Sequence, residues 1–319
     1  MTNIENAGRI SRSEYRGFAA YILETERMSA TVIPELGGKI VSLRHKPTNK
    51  EWLIDSGPRK LARVAYGTNY GMSDLSGWDE CFPTIVACGY PEEGKYVGTL
   101  MPDHGELWSI PWTMETDGAS LQGEANGVAL PYRFSREMMF ADETTLRLIY
   151  AVTNAGDEEL SVFWTAHPLF AVTENTAIVL PEGVKELLCV DGGRALEGGN
   201  RYAWPEGDGR LPRPLDRIGP ASAQDSRKFY SEQGLPRGSA KLRERDTGEY
   251  VELKWSLEQL PYFGFWIDEG EHTGYSVCAL EPCNGFYDSL AEAHKRNKLI
   301  RIAPNETVGW ELEVRMGNG

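Results

Sequence analysis

Apolar and polar positions alternate with a period of two along most of the chain, in short runs broken by Gly, Pro, Asn and Asp. That period puts every second side chain on one face of a strand, so the pattern predicts β-structure nearly throughout. Leu146 to Thr153, LRLIYAVT, sets Leu146, Leu148, Tyr150 and Val152 on one face. The polar run NAGDEE, Asn154 to Glu159, then turns the chain into SVFWTAH, and the two apolar runs read as a hairpin. Ser29 to Leu43 places two strands around Gly37-Gly38, and Leu299 to Met316 places two around Pro304-Asn305-Glu306, so antiparallel pairing is expected. Only Asp288 to Lys298 carries helix signals: Asp and Ser at its start, good helix formers, and basic residues near its end.

No interdomain linker and no fixed-period repeat emerges, which disfavours a propeller or solenoid. Many short strands without repeats predict one large antiparallel β-sandwich over residues 1–319, all-β with few short helices. The least periodic part, Glu182 to Pro236, contains EGGNRYAWPEGDGRLPRP and is expected to form long surface loops over one end of the sandwich.

Composition narrows the partners. The 319 residues are 41% hydrophobic and 25% charged, ordinary for a globular chain, and carry a formal net charge of -14. That charge argues against a nucleic-acid backbone as partner, and KLRER at Lys241 to Arg245 is too short and mixed in sign to reverse it. There is no signal-like apolar core at the N-terminus and no run of roughly 18 apolar residues, so a cytoplasmic protein without a membrane partner is expected. Five scattered cysteines, with no C-x-x-C pair, predict reduced thiols rather than a disulfide framework or zinc site.

The common nucleotide, nucleophile and zinc-protease signatures are absent. Four segments instead set ionisable groups in apolar or aromatic surroundings: GWDECFP at Gly77, PDHGELW at Pro102, TAHPLF at Thr165 and ALEPCNGFYD at Ala279. Each has a purely structural alternative. His167 can be a core or edge-strand histidine, His104 the tip of a turn, and Glu281 a solvated strand end before Pro282. Trp78 can be a core residue flanked by solvated Asp79 and Glu80. Yet His167 and Glu281 each precede a Pro at the end of an apolar strand, and His104 precedes a Gly. Such breaks aim side chains toward the mouth of a sandwich or across a concave sheet, where a ligand can reach them. There, imidazole (pKa about 6.5) and carboxylate (about 4.3) make an acid and base pair, with a protonated His facing an ionised Glu.

In order along the chain, PELGGKIVSLRH, PDHGELWSIPW, LRLIYAVTNAGDEELSVFWTAHPLF, YSVCALEPCNG and IRIAPNETVGWELEV resemble the galactose mutarotase-like (aldose 1-epimerase) superfamily over most of the sequence. The resemblance implies a β-supersandwich binding a sugar in its concave face, with no metal or organic cofactor. It implies that Glu281 is the general base for the anomeric hydroxyl, that His167 is the general acid for the ring oxygen, and that His104 supports the sugar nearby. Trp78 and Trp108 are candidates to stack on a pyranose, with core packing as the competing role. The chain departs from the family in following His104-Gly105 with Glu106-Leu107-Trp108 and in offering GWDECFP where Arg-bearing motifs are usual. Asp79 or Glu80 then takes the place of a cationic contact, which favours a neutral monosaccharide over a phosphosugar. The family's additional Asp has no clear counterpart, and the oligomeric state is left open. A non-catalytic carbohydrate-binding protein is the alternative on the same fold. A metal enzyme using two His and a Glu is weaker, for want of an H-x-H cluster.

Overall fold

The structure, a computed structural model, describes residues 8–319. Two large antiparallel sheets carry most of the chain. The larger runs from the edge strand Arg9–Tyr15 through Phe18–Glu24, Met28–Ile33, Lys39–His45 and Trp78–Cys81 to its centre, Thr165–Pro168 and Ser276–Cys283. It continues through Tyr262–Glu269, Ser226–Ser231 and Glu186–Asp191 to Arg201–Ala203. The second sheet has the order Thr176–Val179, Ser239–Glu244, Glu249–Trp255, Thr307–Asn318, Thr145–Asn154, Tyr132–Asp142, Leu121–Asn126 and Thr113–Thr116. This is the all-β sandwich that the alternation predicts.

Between the sheets lies a core rich in aromatics. Leu146, Leu148, Tyr150 and Val152 all point into it, as their alternation requires. Tyr150 stacks on Trp310 with ring centroids 5.7 Å apart, and Trp164 packs against Tyr150 at 4.6 Å. Each of the fully buried Leu146, Leu148 and Val152 side chains contributes about 1.5–3 kcal/mol through removal of apolar area from water.

Pairing differs from the expected hairpins at two places. Thr145–Asn154 is flanked on both sides, by Tyr132–Asp142 and Thr307–Asn318, so no edge is left for Ser161–His167. The chain crosses to the other sheet instead. Asn154 fixes that crossing: its amide donates to the carbonyls of Glu158 and Ile302, while its Oδ1 accepts from Gly156 N. The two runs around Pro304-Asn305-Glu306 also part company, because Ile300–Ile302 pairs with Leu160–Val162 in a small separate ribbon. By contrast, the strands around Gly37-Gly38 do pair, from Ile33 opposite Lys39 outward.

The helix is shorter than its signals suggest, Leu290–Lys295, with the Ser289 hydroxyl accepting from Glu292 N as its cap. The Glu182 to Pro236 segment is less loop-like than expected. It contributes Ser226–Ser231, buried along its whole length, to the larger sheet. All five cysteines are free thiols. No helix among the described residues is long and apolar enough to cross a membrane.

Candidate functional site

The site grows from the centre of the larger sheet. Thr165 is in register with Cys283, and Phe170 with Cys278, so the intervening His167 falls opposite Glu281 on the neighbouring strand. Directly opposed side chains on one face meet, and His167 Nε2 lies 3.9 Å from Glu281 Oε1. Pro168 does not end the sheet here. It stays in register with Trp78, and pairing resumes at Phe170 and Ala171. What the His-Pro step does is interrupt the pairing to the Glu281 strand for the residues that carry the chemistry.

His104 arrives on a loop. Its own φ is 58° and that of Gly105 is 72°, both left-handed. A Cβ on Gly105 would fall 2.1 Å from the Phe82 carbonyl oxygen, so only glycine fits after this histidine. Asp103 Oδ1 lies 3.0 Å from His104 Nδ1, leaving Nε2 free, and Asp103 Oδ2 accepts from Tyr70 N. The Tyr70 ring stacks on His104 at 4.0 Å and meets His167 edge-on at 5.2 Å.

Lys228 is the residue sequence reasoning missed. Its Nζ is 2.9 Å from Glu281 Oε2 and 2.9 Å from Asp288 Oδ1, and Tyr230 Oη donates to the same Asp288 oxygen at 2.8 Å. Gly264, in register with both Tyr230 and Glu281, provides the room, since a Cβ there would sit 2.7 Å from the Tyr230 ring. A lone Lys in SRKFYS, amid a turn-rich segment, gives no signal of this role. Two alternating strand positions, Lys228 and Tyr230, are the only trace.

Burial and charge set the protonation. Burial raises the Glu281 carboxyl above the ordinary range, with Lys228 pulling it back down and Asp288 pushing it up. Burial also drives His167 well below the usual imidazole value, helped by His104, Lys228 and Lys39. His104 is lowered by burial against the opposing pull of Asp103. Lys228 is raised, because Asp288 and Glu281 outweigh its own burial. The expected protonated His167 is therefore neutral in the free protein, since imidazolium is poorly solvated there and has cations for neighbours.

The other residues singled out in the sequence lie off this cluster. Glu80 is fully buried on the opposite face, held by Arg136 at 2.7 Å, Tyr150 Oη at 3.0 Å and Trp164 Nε1 at 2.9 Å. Trp78 is likewise enclosed, edge-on to Phe170 at 6.3 Å. Asp79 shares the face of His167 but sits behind Tyr70, whose hydroxyl it accepts at 3.0 Å, and beside Lys39 at 3.1 Å. Trp108 buttresses Tyr70 edge-on at 5.0 Å, with its Nε1 donating to the Asp103 carbonyl at 3.0 Å. None of the four lines the cavity, so none is placed to touch a ligand directly. Asp268 binds backbone N–H groups of Glu271, His272 and Thr273, shaping the loop that brings the last two to the cavity.

The cavity itself measures about 430 Å³. His104, His167, Lys228, Glu281 and Asp288 line it together with Leu75, Ile85, Val86, Leu169 and Trp266. No family model matches the chain, and no curated protein is significantly similar to it. Solved structures do match over its whole length. A galactose mutarotase-like protein from Lactobacillus casei superposes with a TM-score of 0.69 at 17% identity, over 93% of this chain and 100% of that one. The fold is galactose mutarotase-like. A galactose mutarotase related enzyme from Lactobacillus acidophilus agrees, with a TM-score of 0.67 at 14% identity over 94% and 97% of the two chains. A protein from Synechocystis gives a TM-score of 0.70 at 15% identity over both entire chains. On this mutarotase-like fold the cavity lies over the central strands of the larger sheet, where His167 and Glu281 stand side by side.

Proposed function

We propose that the chain is an isomerase that interconverts the anomers of a neutral hexose or related aldose, with Glu281 and His167 as its proton-transfer pair. The observation that carries this is the 3.9 Å separation of His167 Nε2 and Glu281 Oε1 on one cavity wall. A hemiacetal offers two oxygens on one carbon. Ring opening takes a proton from the anomeric hydroxyl and gives one to the ring oxygen, and reclosure on the other face reverses both transfers. The reacting form is the fraction of the protein whose shared proton sits on His167 while Glu281 is ionised; in the direction proposed, Glu281 takes the first proton and His167 delivers the second.

The pair needs one proton between its two members. Glu281 raised and His167 lowered bring their affinities together, which eases transfer in either direction. His104, oriented by Asp103, supports the sugar from the loop side. Lys228 holds Glu281 in place and balances its charge while its own is shared with Asp288. Three carboxylates, those of Asp191, Glu281 and Asp288, line the cavity with Lys228, and this balance supports a neutral sugar over a phosphorylated one.

A panel of free monosaccharides examined by saturation-transfer NMR tests the proposal. Glu281→Gln and His167→Asn are each expected to slow interconversion of a bound sugar by about 100-fold or more, the range for removing a positioned acid or base, with the fold intact by circular dichroism. If neither substitution slows a sugar that binds, the assignment is wrong. Binding with no interconversion above the solvent rate would identify a carbohydrate-binding protein instead.

A further inference from the structure

Cys81 has no part in the reaction proposed above, yet it stands inside the same cluster. Its thiol is fully buried, and Cys81 lies two positions from Asp79, the register partner of His167, so it shares that face of the sheet. The Cys81 sulfur and one ring nitrogen each from His104 and His167 all lie within 4.8 Å of one another. Two further features point to a ligand. Asp103 occupies His104 Nδ1 and so presents Nε2, the carboxylate–imidazole arrangement that orients metal-bound histidines. His167 Nδ1 is buried with no hydrogen-bond partner among the described residues.

We propose that Cys81, His104 and His167 form a binding site for a thiophilic divalent cation of the zinc type, whose occupation withdraws His167 from proton transfer. The second half of this statement rests on the isomerase reading, and the first does not. Two imidazoles and a thiolate suit zinc, and three protein ligands leave a fourth position open to the cavity. Zinc bonds of about 2.0–2.3 Å in a tetrahedron put ligand atoms roughly 3.3–3.7 Å apart. The cluster therefore closes by about an ångström on binding, through side-chain rotation. On binding, the Cys81 S–H bond breaks, its proton leaves to solvent, and the sulfur's electron pair forms the bond to the metal. No electron is transferred. The carboxylates of Glu281 and Asp103 compensate the cation, while Lys228 opposes it; preference for ions that bind sulfur comes from the Cys81 thiolate.

The test uses the full chain, freed of metal by a chelator, and cobalt(II) as the probe. Cobalt is expected to produce a thiolate-to-metal charge-transfer band and visible ligand-field bands, all displaced by zinc. Cys81→Ser should abolish the charge-transfer band, with Cys81→Ala as the second variant should serine disturb folding. Asp103→Asn should weaken cobalt binding about 10- to 100-fold through its effect on His104. Zinc should slow wild-type anomer interconversion by roughly 100-fold, as loss of a positioned acid does, and chelation should restore it. Absence of a charge-transfer band, or its persistence in a folded Cys81 variant, overturns the site. Activity that disappears on chelation overturns the withdrawal of His167. An intact cobalt band with no sugar turnover in either metal state upholds the site and refutes the isomerase reading.

Discussion

Glu80 and Glu281 are both fully buried carboxylates in the central strands of the same sheet, and they have opposite fates. Glu80 faces the core between the sheets, where Arg136, Tyr150 and Trp164 satisfy it from three directions. Glu281 faces the cavity, with an ion pair to Lys228 and a histidine just beyond hydrogen-bonding range, and neither of its oxygens accepts a well-aligned hydrogen bond. A carboxylate with its acceptor sites filled is a structural element. One held by charge alone keeps lone pairs for a ligand's protons, and this difference separates scaffold from chemistry here.

The comparison is broken most severely at Arg136. Arg136→Met leaves Glu80 without its cation in the core, and the expected loss of stability is about 3–5 kcal/mol, the cost of orphaning one partner of a buried pair. Urea denaturation measures it. Glu281→Gln, at an equally buried position, is expected to move the denaturation midpoint far less, because no set of directed hydrogen bonds is lost there. Equal destabilisation by the two substitutions would show that Glu281 is a structural residue too.

A smaller effect is expected at Lys228. Its positive charge lowers both Glu281 and His167, so Lys228→Met raises the proton affinity of both. Interconversion needs one proton on the pair. It fails at low pH when both members are protonated and at high pH when neither is, which gives a bell. Both limbs should therefore move to higher pH in the variant, by about one to two units, the usual effect of a close charge. The wild-type alkaline limb in kcat/KM should lie below the ordinary histidine range, because burial depresses His167. A profile unmoved by the substitution would remove Lys228 from the control of the pair.

The sequence made some of this legible and concealed the rest for physical reasons. Alternation identified the inward face of Leu146 to Val152, because burial of one strand face is a local property. Strand partners were misread at Asn154 and Asn305, because a polar turn reports a reversal without saying which sheet receives the chain. The order of His104, His167 and Glu281 pointed to three residues that do gather at the cavity. Asp79 and Glu80 stand as alternatives for one sugar contact, and because adjacent residues of a strand point to opposite faces, at most one of them could face a ligand on the cavity side. Lys228 was hidden because its partners are remote in sequence and the intervening gap at Gly264 exists only in the folded sheet.

The smallest expected effect lies one layer behind the cavity, at Tyr70. Its hydroxyl donates to Asp79 at 3.0 Å, and Lys39 stands on the same carboxylate at 3.1 Å. Burial pushes Asp79 up to about 6, against the pull of Lys39. Tyr70→Phe removes a donor to the charged form, so it raises that value further. Because Lys39 remains, the expected cost is only about 1.5 kcal/mol, at the low end for a hydrogen bond to a charged group. The sign with pH follows from linkage. The unfolded carboxyl ionises near 3.8 and the folded one near 6, so between these values the native state holds more protons and this group's contribution to stability falls as pH rises. In the variant that fall continues to higher pH. The difference between the two proteins should consequently be small near pH 4 and reach its full size above the variant's raised value, as urea denaturation at a series of pH values would show. A difference independent of pH would mean that Tyr70 acts through its packing on His104 and His167, and that Asp79 belongs with Glu80 among the satisfied carboxylates of the scaffold.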